Sequence, residues 1–254
     1  MHMISQLFDI SNKTALITGG QRGLGRGIAE AFADAGANIA VVSRSVSDNF
    51  IEEMKKYPVI CRKYNYDITD LDEQKKLVDE VVQDFGTIDI LVNNAGRQYR
   101  CPAEEFPADK WDQVMAVNCR AAYFLSQRVG ALMLGKGYGK IINIASINTF
   151  QGRKLISAYA ASKGAIAQFS KSMANEWASR GVNVNCIMPG FFETELTSDL
   201  FRDPKQKEEV LSRIPVGRMG YPSDLGGAAI FLASHASDYV TGHVLCVDGG
   251  WISA

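Results

Sequence analysis

The sequence predicts a single α/β domain over residues 1–254, a doubly wound, Rossmann-like parallel sheet of seven strands with helices on both faces. Three observations predict it. Runs rich in Val, Ile and Leu alternate with helical patterns from end to end, as strands covered on both faces alternate with their crossover helices. The first run enters a glycine-rich turn and then a helical pattern, a strand–turn–helix unit. A chain of 254 residues can also bury one sizeable core without splitting, and no repeat or linker divides it.

Each element follows from its residues. Ala15-Leu-Ile17 makes the first strand, over 14–18, and a helix is expected over 24–35 after the glycines. Ile39-Ala-Val-Val42 makes the second strand, over 38–43, and the third is expected over 60–66. A helix over 71–85 leads to the strand over 88–93, where Ile88-Asp-Ile-Leu-Val ends in Asn93. The run Lys140-Ile-Ile-Asn-Ile-Ala gives a strand over 140–145 and ends in the hydroxyl of Ser146. A long helix over 157–180 follows, then strands over 183–188 and 244–247. The stretch 191–219 breaks the rhythm: it is charged and holds Pro204 and Pro215. So long an insertion in a compact domain is usually functional.

Composition narrows the function. A formal net charge of -1 gives no electrostatic reason to expect nucleic acid or an anionic membrane as partner. No apolar run has the length of a membrane span, and no secretory leader is visible. Five scattered cysteines without a CxxC read as buried, reduced thiols of a cytoplasmic protein. His2, His235 and His243 have no metal-ligand spacing, so no metal site is expected.

Tyr159 and Lys163 stand four apart on the expected helix and so share a face. A tyrosine with a pKa of about 10 is a poor acid at neutral pH, and a nearby cation lowers that value. Ser146 lies thirteen residues upstream of Tyr159, at a strand end. Earlier come Thr18-Gly-Gly-Gln-Arg-Gly-Leu-Gly25 and Asn93-Asn-Ala-Gly96. A strand, glycine turn and helix in that order bring backbone N–H groups to a pyrophosphate.

Together these motifs resemble the short-chain dehydrogenase/reductase family, over almost the whole chain. The resemblance implies hydride transfer between a nicotinamide and a carbonyl or secondary alcohol. It implies that Tyr159 exchanges the proton, Lys163 tunes it and holds the nicotinamide ribose, and Ser146 stabilises the substrate oxygen. Asn118 takes the family's fourth catalytic position, anchoring a water between Lys163 and solvent. The cofactor would meet Gly19, Arg22, Gly23, Leu24 and Gly25, then Asp67 and Ile68, then Asn94, Ala95 and Gly96. Pro189, Gly190 and Thr194 would close over the nicotinamide. The stretch 191–219 corresponds to a substrate lid, and the family is most often tetrameric, so a homotetramer is expected.

Coenzyme choice is read at the end of the second strand. Members using NAD place an acid there. Here stand Ser43 and Arg44, with Arg22 before Gly23, so NADP is preferred and NAD is possible. The substrate is a small molecule. Phe150-Gln-Gly152, Glu176-Trp177 and Asp248-Gly-Gly-Trp251 resemble the branch of 2-dehydro-3-deoxy-D-gluconate and gluconate 5-dehydrogenases. That branch implies a sugar acid, whose carboxylate needs a cation. Arg97, Arg100, Arg153 and Lys154 follow the two strands flanking the cleft. A 3-oxoacyl carrier-protein reductase, a general carbonyl reductase and a non-catalytic nucleotide sensor are the alternatives.

Overall fold

The computed structural model describes residues 3–194 and 204–254. A short helix α1 (Met3–Leu7) precedes β1 (Thr14–Thr18), α2 (Gly23–Asp34), β2 (Asn38–Ser43) and α3 (Asp48–Met54). Next come β3 (Cys61–Asn65), α4 (Leu71–Phe85), β4 (Ile90–Asn93), α5 (Ala108–Met115) and α6 (Ala122–Lys136). The second half holds β5 (Gly139–Ile144), α7 (Ser157–Trp177), β6 (Val182–Pro189), α8 (Pro204–Ser212), α9 (Gly226–Ala233) and β7 (Val244–Val247).

The strands form one parallel sheet in the order β3-β2-β1-β4-β5-β6-β7. This is the doubly wound sheet the alternation predicts. Every residue of β1, β4, β5 and β6 is buried, because helices cover both faces of the sheet's centre. One apolar cluster packs α2 and α9 on one face, and another packs α4, α6 and α7 on the other. The outer strands are wetter, and of the five cysteines expected to be buried only Cys186 is, since Cys61 and Cys246 lie on those outer strands. The third strand is shorter than expected, since only Cys61–Asn65 pairs with β2 and Ile60 is 52% exposed. The long helix is also shorter: α7 ends at Trp177, tightens into a 3₁₀ turn over Ala178–Arg180, and stops at Gly181 with φ 82°.

The chain reverses direction across the sheet between β1 and β4, which opens a crevice at their carboxyl ends. Buried polar groups fix the strands that flank it. The Asn93 amide donates to Asn143 Oδ1 at 2.7 Å and Ser126 Oγ at 2.8 Å, and Asn143 donates to Ser170 Oγ at 2.8 Å. These bonds stitch β4 and β5 to α6 and α7, the helix that carries Tyr159 and Lys163. A buried polar group left unpaired costs about 1–3 kcal/mol, so the network holds one register. Of the 191–219 stretch, part lies outside the described residues. Its described parts include α8 and a bridge between Phe192 and Gly220.

Candidate active site

The crevice is a cleft of about 840 Å3. Its floor is the glycine turn. Gly19 and Gly23 have φ of 65° and 52°, conformations that residues with a Cβ avoid. Gly25 is needed for a different reason: a Cβ there would lie 2.4 Å from both Asn94 Nδ2 and the Gly19 carbonyl. Thr18 locks the turn to the end of β4. Its hydroxyl accepts from the Asn94 and Ala95 amides at 3.0 and 2.9 Å, and Asn94 Nδ2 donates back to the Thr18 carbonyl at 2.9 Å. Helix α2 starts in the cleft with no side-chain cap at its N-cap position, Arg22. Its first amides and its dipole suit an anionic group.

The expected cofactor residues converge on this cleft. Gly19, Arg22, Gly23 and Leu24 line one end with Ser43 and Arg44. Asp67, Ile68, Asn94, Ala95 and Gly96 also line it, as do Pro189, Gly190 and Thr194, the last standing against Gly23. Gly25 sits behind the turn, buried. Asp67 combines two roles. Burial pushes its pKa up, but hydrogen bonds from Thr69 N and Oγ1 at 2.9 and 2.7 Å, with the charge of Arg44, outweigh that and hold it low. A glycine floor, helix amides and two guanidiniums at one end suit a phosphorylated dinucleotide.

Ser146, Tyr159 and Lys163 line the same cleft. Ser146 Oγ accepts from Asn148 N at 3.2 Å and Asn148 Nδ2 at 3.1 Å. With its acceptor sites used, the hydroxyl keeps its own proton to donate toward the cleft. Enclosure by protein atoms raises the Tyr159 pKa above its ordinary value, and Ser146 acts in the opposite direction. Burial lowers Lys163 to about 8. Its Nζ donates to the Ile144 carbonyl at 2.5 Å and lies 5.6 Å from the centre of the Tyr159 ring.

Packing turns two of these side chains toward protein groups. Helical spacing does bring Lys163 beside Tyr159, but the ammonium turns to the end of β5 rather than to the phenol. Tyr159 therefore stays firmly protonated without a cofactor. Asn118 lies in a π-helical segment, Ala116–Ala121, between α5 and α6. Its side chain accepts from Arg97 N at 2.7 Å and donates to the Arg97 carbonyl and Ser162 Oγ, both at 2.9 Å. These bonds tie the loop after β4 to α7.

The candidate substrate residues divide. Arg97 lines the cleft, with Gln98 and Gln113, for which the sequence carries no signal. Arg100 and Arg153 lie beyond the cleft lining. Burial on one side and the charges of Arg100 and Arg213 lower the Arg153 pKa, so three guanidiniums lie close together. None of the three has a carboxylate hydrogen-bonded to it among the described residues. The Arg153 guanidinium lies 5.2 Å from the Phe191 ring, Phe191 meets Trp251 edge-on at 4.6 Å, and Arg213 stacks over Trp251 at 4.2 Å. Trp251 Nε1 also donates to Gln151 Oε1 at 3.0 Å, and the ring is buried within the chain. The stretch from Arg213 to Gly220 resembles the same sugar-acid branch, but only the fold brings Arg213 to Arg153.

The family model described as enoyl-(acyl carrier protein) reductase matches residues 19–252. The 2-dehydro-3-deoxy-D-gluconate 5-dehydrogenase of Bacillus subtilis is 45% identical over all of both chains. The chain belongs to the short-chain dehydrogenase/reductase family. The gluconate 5-dehydrogenase of Gluconobacter oxydans is 39% identical over 96% of each chain. The crystal structure of a gluconate 5-dehydrogenase from Burkholderia cenocepacia, in complex with NADP and tartrate, superposes with a TM-score of 0.92. It is 38% identical and covers 99% of both chains. The chain is an oxidoreductase of this family, as its motifs imply.

Proposed function

We propose that this protein is an NADP(H)-dependent oxidoreductase that interconverts a carbonyl and a secondary alcohol on a sugar acid. The observation that carries the reading is the convergence of Ser146, Tyr159 and Lys163 with the glycine turn, Arg22 and Arg44 on one cleft. Relatives named for 2-dehydro-3-deoxy-D-gluconate and gluconate support the substrate class. The Burkholderia enzyme with NADP and tartrate supports both the coenzyme and an acidic ligand.

When bound, the nicotinamide coenzyme supplies or accepts the hydride. Everything else falls to the protein. The glycine turn and the α2 amides hold the pyrophosphate, and Arg22 and Arg44 hold the 2′-phosphate. Lys163 reaches the nicotinamide ribose from the floor at Ile144. Ser146 directs its proton to the substrate oxygen and stabilises the charge that develops there. Tyr159 gives its proton to that oxygen. The phenol is protonated at neutral pH, and the nearby charge of Lys163 favours its ionisation as the proton leaves. Arg97 at the cleft, and Arg100 and Arg153 beyond it, attract the carboxylate. The 191–219 stretch acts as the lid over it. On the same reading the enzyme works as a cytoplasmic homotetramer, in which the exposed Trp111 and Tyr123 would find cover.

The test compares an acidic and a neutral substrate. A hydrogen bond between charged groups contributes about 1.5–3 kcal/mol. Arg100→Ala or Arg153→Ala should raise KM at least tenfold for a keto sugar acid and little for a neutral dione. Equal effects on both substrates, or a wild type that reduces neutral carbonyls as well as any sugar acid, would leave a general carbonyl reductase.

A further inference from the structure

We propose that Gln21 is a positioning residue for coenzyme choice: its side chain pins the loop carrying Arg44 against the glycine turn carrying Arg22. This rests on the reading of Arg22 and Arg44 as 2′-phosphate partners. Gln21 itself lines the cleft between Gly19 and Arg22, but both ends of its amide are spent on the loop after Arg44.

The geometry is a two-point clamp. Gln21 Nε2 donates to the Ser45 carbonyl at 2.6 Å, and Gln21 Oε1 accepts from Ser47 N at 2.8 Å. Both ends of one planar amide are used, so its orientation is fixed from both sides. From the other side, Asn65 Oδ1 of β3 accepts from Val46 N at 2.8 Å. Three consecutive residues after Arg44 are thus held by side chains from two different strand ends. Val46 is buried between them, while Ser45 and Ser47 are exposed and have little packing to hold them.

The consequence for Arg44 is physical. Its side chain is exposed and long, and ordering it on a phosphate costs rotamer entropy. A bidentate contact forms only if the backbone that carries it already stands at the right distance from Arg22. Gln21 sets that distance, because it joins the two backbones directly. Without it, the Ser45 carbonyl and the Ser47 amide are left to water, and Asn65 alone holds the loop. NADH has no 2′-phosphate and does not call on Arg44, so the loss falls on NADPH.

The test is a double-mutant cycle read by coenzyme titration. Gln21→Met keeps the length of the side chain and removes both hydrogen bonds. Two bonds of ordinary net strength predict an NADPH Kd raised on the order of tenfold. The NADH Kd should move less than twofold. In an Arg44→Ala background, Gln21→Met should add almost nothing. Equal weakening of both coenzymes would overturn the inference, since it would mean general damage to the glycine turn. A full additional loss in the Arg44→Ala background would overturn it too. If Arg44→Ala weakens NADPH binding and Gln21→Met does not, the reading of Arg44 stands and that of Gln21 falls. If Arg44→Ala itself leaves NADPH unaffected, the phosphate reading fails first and the inference with it.

Discussion

Replacing Lys163 by Met should make the cofactor-free protein more stable at pH 7 and abolish its catalysis. Burial lowers the Lys163 pKa from 10.5 to about 8. At pH 7 the lysine is charged in both the folded and unfolded states, and the folded state bears the desolvation. A change from 10.5 to about 8 corresponds to a penalty of at most about 3 kcal/mol. Met fills similar space without charge, but it leaves the Ile144 carbonyl without its donor, which costs about 1–2 kcal/mol. The net gain is about 1–2 kcal/mol at neutral pH. The sign with pH follows from linkage. A lysine depressed in the folded state destabilises fully below about pH 8, and that penalty fades as pH rises from 8 toward 10.5. The variant's advantage should therefore shrink over that window and vanish or reverse near pH 10. Urea unfolding of wild type and variant without coenzyme, at pH 7, 8.5 and 10, measures it. An advantage absent at pH 7, or one that does not change with pH, would refute the reasoning.

Two further outcomes follow from the cofactor end of the cleft. Arg44→Asp should lower kcat/KM for NADPH by about tenfold to a hundredfold, one charge-assisted phosphate contact, and raise it for NADH. A wild type that prefers NADH would contradict the assignment before any variant is made. Gly25→Ala should displace Asn94, whose amide stands 2.4 Å from the new Cβ, and cost about 1–3 kcal/mol of stability. Coenzyme affinity should fall with it, and a variant with wild-type melting and binding would show that the turn tolerates a side chain there.

The parts of this site legible in the sequence are those built from local chain. The turn over 18–25, the strand ending in Ser146, and the four-residue spacing of Tyr159 and Lys163 each follow from one element's geometry. The fold brings all three to one cleft. The doubly wound parallel sheet also follows, because apolar runs alternate with helical patterns along the chain. What the spacing does not reveal is where side chains turn once packed. Lys163 shares a face with Tyr159, yet the open end of β5 offers a carbonyl that draws its ammonium away. Asn118 reads as a lone polar residue in a helical stretch, and only the fold supplies Arg97 and Ser162 as its partners. Arg213 is sixty residues from Arg153 in the chain, and a stack through Trp251 and Phe191 brings them together. Gln21 looks like filler between glycines, and its role depends on a loop more than twenty residues on.

On the proposed function, Tyr159 delivers the proton in a carbonyl reduction. Tyr159→Phe tests it most directly, because it removes one oxygen from a partly enclosed ring and leaves the packing in place. With NADPH and a keto sugar acid, turnover should fall about 10²–10⁴-fold, the usual worth of a positioned general acid, while the NADPH Kd changes little. Turnover within a fewfold of wild type would contradict the claim and place the proton donor elsewhere in the cleft.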